Sequence, residues 1–149
     1  MFSADRHVFY KRVILPLLQR NKIIIQSRGV ITSLVYQSMQ SKDEGSNLTQ
    51  DYLKSLIGNN FTLHHAPDLI IIPSIKSVEE LMQRLEGREK KDDAIFETLD
   101  FQNKVKPHYE SEELKKFFES LGNKIKYLDA GISVESTREQ AKNIIKEFM

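Results

Sequence analysis

Apolar residues along the chain recur at two spacings, which predict helices that alternate with short strands. From about Ala4 to Arg20 the spacing is helical, and Pro16 is expected to kink or end this helix. Aliphatic runs predict three buried strands, over 22–26, 68–72 and 124–128. Pro73 is expected to stop the second strand, because proline has no N–H to donate to a sheet.

The remaining apolar stripes predict further helices. They cover about 31–39, 48–57, 77–87, 96–105 and 111–121, before a last helix that uses Ile132, Ala141, Ile144, Ile145 and Phe148. Gly58 is expected to close the second of these helices, and Ser77 and Glu80 have the spacing of a capping box. Alternating strands and helices predict an α/β fold, a parallel sheet with helices on both faces.

Composition limits the classes of protein that the chain can represent. Its 149 residues predict a single domain over 1–149, and the absence of cysteine excludes disulfides, thiolate metal sites and a cysteine nucleophile. A net charge of +1 predicts no general affinity for a nucleic acid polymer or a membrane surface. The apolar runs are too short to cross a bilayer and no secretory signal is recognisable, so we expect a cytoplasmic protein.

Candidate chemistry lies where the predicted strands end, because open α/β sheets bind ligands beyond the carboxyl ends of their strands. Three segments qualify: 27–31, 73–76 and 129–133. In the first, Arg28 could pair with a phosphate while Thr32 and Ser33 lie at a helix start. A solvated arginine in a tight turn is the alternative. The charged run 88–93 is either a loop that closes over phosphates or a solvated surface.

Other motifs of catalysis are missing from the sequence. His64 and His65 have no third ligand at a recognisable spacing, so no metal site is predicted. Neither a GxxxxGK[ST] phosphate-binding loop nor a GxSxG nucleophile motif occurs anywhere in the chain. The residues by themselves therefore predict an α/β domain with an anion site at one strand end.

Several segments, in order, resemble the thymidylate kinases, a branch of the nucleoside monophosphate kinases. Met1-Phe2-Ser3-Ala4-Asp5-Arg6 is similar to that family's Leu-Phe-[Ser/Ala]-Ala-[Asp/Asn]-Arg signature. Residues 25–37 resemble its Asp-Arg-Tyr segment running into Ser-Ser-Leu-Ala-Tyr-Gln. Residues 67–69, 100–109 and 128–130 resemble its fourth strand, the helix after its lid and the end of its fifth strand. The resemblance implies a P-loop-kinase-like parallel sheet, of which three strands are visible and the first two family strands are missing.

The resemblance also implies roles for individual residues in phosphoryl transfer from ATP to dTMP, with Mg²⁺ bridging the phosphates. Phe2 would stack on thymine, Arg6 would donate to a base carbonyl, and Arg28 would grip the monophosphate. Ser33 and Gln37 would reach the base edge, with Tyr36 beside the sugar. The remaining residues would come from a lid over about 87–97 and from the position just before it; they are Arg84, Arg88, Lys90, Lys91 and Phe96. Arg28 and Arg88 would be the catalytic cations.

The chain departs from the family pattern in ways that bear on catalysis. Ser27 stands where the family has aspartate, Gly29 where it has an aromatic residue, and Pro73-Ser74 where it has Leu-Asp. The phosphate-binding loop and its lysine have no counterpart, so we expect little ATP chemistry from these residues alone. The resemblance implies a homodimer or a complementing chain as partner. The alternative is a catalytically inactive remnant that binds a nucleotide or docks a partner.

Overall fold

A computed structural model describes residues 2–43, 45, 49–79, 82 and 98–149. The chain divides into two compact units, an N-terminal unit (Met1–Ala66) and a C-terminal unit (Pro67–Met149). Together the described residues form an α/β protein with a two-stranded parallel sheet. Within these ranges no helix is both long and apolar enough to cross a membrane.

The N-terminal unit is helical in its described residues. It contains α1 (Phe2–Phe9), a π-helical turn (Tyr10–Ile14), α2 (Leu15–Leu18), α3 (Val30–Asp43), α4 (Gln50–Ser55) and α5 (Ile57–His64). Its core lies along α3, where Leu34 and Val35 are completely buried, and Leu53 of α4 is almost so. The apolar stripe of α3 therefore packs inward, as its helical spacing predicts.

The first helix continues past Pro16, so the prediction that this proline kinks or ends it is only partly right. The helical stretch ends two residues later, at Leu18, and Pro16 occupies the first turn of α2. Because the π-helical turn leads directly into α2, Pro16 lies inside a continuous helical stretch, where its missing N–H removes one backbone hydrogen bond. The turn just before it is widened, since the Leu15 N–H donates to the Tyr10 carbonyl, and this is the π-helical register.

The strand predicted over 22–26 is not confirmed. These residues form no regular element, and Ile23 and Ile25 are 73% and 85% exposed. A strand exists only through hydrogen bonds to a neighbouring strand, and none of the described residues pairs with this segment. The predicted helix end at Gly58 is also wrong, because Gly58 lies in the first turn of α5.

The C-terminal unit holds the parallel sheet. Its elements are β1 (Leu69–Ser74), α6 (Leu99–Tyr109), α7 (Glu112–Ser120), β2 (Lys124–Asp129) and α8 (Val134–Phe148). Leu69 pairs with Lys124 and the register continues to Ser74 with Asp129. Both α7 and α8 pack against β2, and Phe118 of α7 is completely buried. The two strand predictions in this unit are confirmed.

Pro73 does not stop β1, contrary to the sequence prediction. The Lys124 N–H donates to Asp68 O (2.9 Å) and the Ala130 N–H donates to Ser74 O (2.8 Å), so even-numbered residues of this strand bond to β2. Odd-numbered residues, including Pro73, direct their backbone nitrogens to the opposite edge. The missing N–H of Pro73 therefore costs the ladder nothing.

Helix boundaries in the C-terminal unit differ modestly from prediction. The helix predicted over 96–105 begins at Leu99, capped by Thr98, and extends through Pro107 to Tyr109. Ser111 caps α7, close to its predicted start. Ile132 is exposed and precedes α8. The predicted helix over 77–87, including Glu80 of the capping box, and the predicted lid over 87–97 lie largely or wholly outside the described residues.

Candidate nucleotide site

Arg28 occupies the tight turn that the sequence predicts before α3. Its backbone adopts a left-handed conformation (φ 61°), which is unusual for a residue with a side chain. The side chain is exposed, and its guanidinium carbon lies 5.9 Å from the centre of the Tyr36 ring. Such a separation permits a cation–π contact. The turn thus presents an exposed cation beside an aromatic ring at the start of a helix.

Arg6 extends from α1 to two neutral oxygens on two other helices. Its Nη2 donates to the Ser33 hydroxyl on α3 (2.6 Å), and its Nη1 donates to the side-chain oxygen of Asn59 on α5. Burial lowers the pKa of the Arg6 guanidinium, although arginine stays charged at neutral pH. Among the described residues no carboxylate pairs with it. A half-buried cation with only neutral partners is a strong donor for a carbonyl or an anion.

The amino-terminal turn of α5 is capped by a residue distant in sequence. The Ser3 hydroxyl accepts from the backbone N–H of Gly58 (3.0 Å) and of Asn59 (3.3 Å). These amides have no partner within their own helix, and the local cap position, Leu56, has no side-chain acceptor. Ser3 therefore joins α1 to α5 one helical turn before Arg6.

Glycine is required at position 58 for this approach of the two helices. A Cβ built on Gly58 would collide with the backbone carbonyl of Ser3 and would lie 2.9 Å from its hydroxyl oxygen. Backbone atoms cannot rotate away as a flexible side chain can. The glycine thus allows α1 to come close enough for Arg6 to reach Asn59.

Tyr10 lies one turn after Arg6 and is buried. Its hydroxyl donates to the side-chain oxygen of Gln26 (3.3 Å), which ties the segment after α2 to the first helix. Burial raises the pKa of Tyr10, while the nearby positive charge of Arg6 lowers it. The Tyr10 phenol is therefore uncharged at physiological pH. It does not offset the positive charge of the Arg6 guanidinium.

The structure brings some of the predicted site residues together. Arg6 contacts Ser33, and Arg28 lies beside Tyr36, whereas Gln37 is half-buried on α3 one turn after Ser33. Phe2 begins α1. The lid residues lie outside the described part of the chain; they are Arg84, Arg88, Lys90, Lys91 and Phe96.

Sequence reasoning missed Ser3 and Asn59. Ser3 stands inside the segment 1–6 that resembles the family signature, and Asn59 lies between the apolar residues Ile57 and Phe61 in the sequence. A polar residue at a buried helical position is the signal that could have revealed Asn59, since buried amides need partners.

A shallow cavity of about 330 Å³ lies at the carboxyl end of β1, where the sequence predicts ligand chemistry. It is lined by Ser74, Ile75, Lys76, Lys106, Glu110 and Tyr127. Glu110 accepts from the Ser74 hydroxyl (2.5 Å) and from the Lys106 ammonium (3.1 Å), so it neutralises one of the two cations.

The described residues offer no fit for a magnesium–ATP complex. No group of three histidine or acidic side chains comes close enough together in this part of the chain to hold a metal. The whole sequence also contains no GxxxxGK[ST] loop, whose amides and lysine would cradle the phosphates.

Comparison with known proteins identifies the family. The family model for thymidylate kinase matches residues 1–141. A probable thymidylate kinase of Methanococcus vannielii is 34% identical over 109 residues, covering 73% of this chain and 47% of that protein. A thymidylate kinase of Caldicellulosiruptor saccharolyticus is 27% identical over 149 residues, covering 100% of this chain and 66% of that protein.

A probable thymidylate kinase of Pyrococcus abyssi is 29% identical over 146 residues, covering 98% of this chain and 62% of that protein. The chain thus spans roughly half to two thirds of the length of these three relatives. No solved structure is significantly similar to this chain. With the family model matching nearly its whole length, the chain belongs to the thymidylate kinase family.

Proposed function

We propose that this chain binds dTMP and presents it for phosphoryl transfer from ATP, as the monophosphate-binding part of a thymidylate kinase. Family membership supports this reaction, and one observation in the N-terminal unit carries the assignment of the site. The Arg6 guanidinium is half-buried, charged and held by neutral oxygens of Ser33 and Asn59. A site of this kind favours the binding of a ligand that carries a carbonyl oxygen or a negative charge.

Residues of α1 and α3 bind the thymine base. Arg6 donates to a carbonyl of thymine, and Ser33 and Gln37, one turn apart on α3, complete the hydrogen bonds at the base edge. Phe2, one turn before Arg6 on α1, stacks on the ring. Hydrogen bonds to a base edge favour a nucleotide that matches them, because a mismatched one leaves buried polar groups unpaired.

The phosphate is held by Arg28 in the turn before α3. Its exposed guanidinium presents parallel N–H donors that suit two phosphate oxygens, and the adjacent Tyr36 ring limits where the cation can lie. Tyr36 also flanks the sugar. Arg28 thereby neutralises charge next to the oxygen that attacks the transferring phosphoryl group.

ATP and Mg²⁺ are handled by residues beyond those described here. Because the sequence has no phosphate-binding loop, we infer that a further chain segment or a complementing chain supplies it, together with the first two strands of a P-loop-kinase-like sheet. Within a single domain over 1–149, the lid at about 87–97 and Arg84 just before it add cations on the ATP side. The lid cations are Arg88, Lys90 and Lys91, and Phe96 lies at the lid end. Homodimerisation and a cytoplasmic location belong to the same proposal.

Calorimetric titration of the 149-residue protein with dTMP tests the binding step, and calorimetry suits a chain without tryptophan. We expect saturable heat with dTMP, and a loss of roughly tenfold or more in affinity for Arg6→Ala, the usual effect of removing a charged hydrogen bond. No heat and no thermal shift with dTMP, dUMP or dTDP would refute a nucleotide site altogether.

A coupled assay for ADP tests the transfer step. We expect no dTMP-dependent ADP from the 149 residues alone, and ADP formation once a polypeptide that carries a GxxxxGK[ST] loop completes the sheet. Turnover by the purified 149-residue protein would contradict the inferred need for that segment. Binding of dTMP without turnover under any complementation would support the alternative of an inactive nucleotide-binding relative.

A further inference from the structure

Asn59 is a completely buried polar residue whose amide has two partners on different elements. Its Nδ2 donates to the Leu53 carbonyl (2.8 Å), and its Oδ1 accepts from Nη1 of Arg6. A carbonyl can only accept and a guanidinium can only donate, so the amide has one workable orientation. Rotating it by half a turn would place an NH₂ group against the guanidinium and an oxygen against a carbonyl. Asn59 is therefore locked with its acceptor facing Arg6.

The backbone of Asn59 is fixed to the same helix that carries Arg6. The Ser3 hydroxyl accepts from the Asn59 N–H (3.3 Å), and Ser3 and Arg6 lie one turn apart on one face of α1. Both the main chain and the side chain of Asn59 thus contact α1. The distance and the direction between Asn59 and Arg6 are set by two hydrogen bonds rather than one.

A long side chain such as arginine has many rotamers, and a ligand that binds it has to restrict them. In this unit Ser33 on one side and Asn59 on the other already hold the two Nη atoms of Arg6. The remaining N–H donors keep a fixed direction because the guanidinium is planar.

We propose that Asn59 is a positioning residue for the nucleotide site: it holds Arg6 so that the guanidinium donates to the oxygen on C4 of a thymine or uracil base and rejects cytosine. This inference rests on the proposed function. Cytosine carries an amino group at C4, which would oppose the donors of Arg6. Asn59 does not contact the base, and it acts only through Arg6.

The test measures the affinities of dTMP and dCMP for each variant by calorimetry. For Asn59→Leu, which keeps the approximate volume but removes the acceptor, we expect the preference for dTMP over dCMP to fall by roughly tenfold. For Asn59→Asp, which keeps the acceptor oxygen, we expect the preference to be retained. The ratio of the two affinities is insensitive to a general loss of folded protein.

Thr62→Val is the matched control, because Thr62 is almost fully buried on the same helix and its hydroxyl donates to the Gly58 carbonyl (2.8 Å) rather than bonding to Arg6. We expect it to lower stability and to leave the nucleotide preference unchanged. The Arg6 side-chain N–H signals, identified by their loss in Arg6→Ala, give a second measurement by NMR. They should be sharp in the parent protein and in Asn59→Asp and broadened in Asn59→Leu.

Two failures can be told apart. If the parent protein binds neither nucleotide, the proposed function fails and this inference fails with it. If the parent protein prefers dTMP and Asn59→Leu keeps that preference with sharp Arg6 signals, the dTMP site stands and only the positioning role of Asn59 is overturned. Loss of the preference in Thr62→Val as well would likewise overturn it, because any destabilised α5 would then have the same effect.

Discussion

Replacing Gly58 with alanine should destabilise the N-terminal unit, although alanine is the better helix former. The new Cβ would collide with the Ser3 carbonyl and would lie 2.9 Å from the Ser3 hydroxyl oxygen, where ordinary contacts are 3.4–4 Å. Relief requires α1 to move away from α5, because the obstructing carbonyl belongs to the backbone. That movement would also break the hydrogen bonds from the Gly58 and Asn59 amides to Ser3.

The expected change in the free energy of unfolding is the sum of two unfavourable contributions and one favourable contribution. Forcing an extra carbon into a packed contact costs about 1–3 kcal/mol, and losing a helix cap costs about 0.5–2 kcal/mol. Alanine recovers about 0.5–1 kcal/mol through its better helix propensity. We therefore expect Gly58→Ala to lower the free energy of unfolding by about 0.5–4.5 kcal/mol.

Urea unfolding followed by far-ultraviolet circular dichroism measures this change as a lower transition midpoint. Gly29→Ala is the matched control, because a Cβ on Gly29 would meet nothing within 4 Å and its φ is not in the left-handed range. The control should change stability by less than about 0.5 kcal/mol. A Gly58→Ala protein as stable as the parent would refute the close approach of α1 to α5.

Further predictions concern the cap, the phosphate site and the sheet. Ser3→Ala should cost about 0.5–2 kcal/mol in urea unfolding, because two amides of α5 lose their acceptor. Arg28→Ala should weaken dTMP binding by about 1.5–3 kcal/mol in calorimetry, with Arg28→Lys in between because lysine lacks the paired donors. Pro73→Ala should cost less than about 1 kcal/mol, since residue 73 directs its nitrogen away from β2. Ile72→Pro should cost more than about 2 kcal/mol, because it removes a donor of the ladder between β1 and β2 and leaves the paired carbonyl of β2 without its partner.

A specific experimental result would contradict each of the last three groups of predictions. Unchanged stability of Ser3→Ala would mean that water replaces the serine as the cap. Unchanged dTMP affinity of Arg28→Ala would remove Arg28 from the phosphate site. Equal effects of the two proline exchanges would contradict the alternation of backbone hydrogen bonds along β1.

The sequence by itself determined the features that depend on neighbours along the chain. Helical spacing predicted α3, and aliphatic runs predicted β1 and β2, because side-chain periodicity reflects which face of an element is buried. The family likeness was also local, since the short motifs around Arg6 and Arg28 can be read without knowing the fold.

Only the tertiary structure decided the features that depend on distant partners. Residues 22–26 have the composition of a strand, but among the described residues no strand pairs with them, and β-structure needs such a neighbour. Pro73 is acceptable because of the side of β1 that β2 occupies. Asn59 joins Arg6 across 53 residues of sequence, and Ser3 caps a helix 55 residues away. No local pattern encodes such contacts, because they arise only when folding brings α1 against α5.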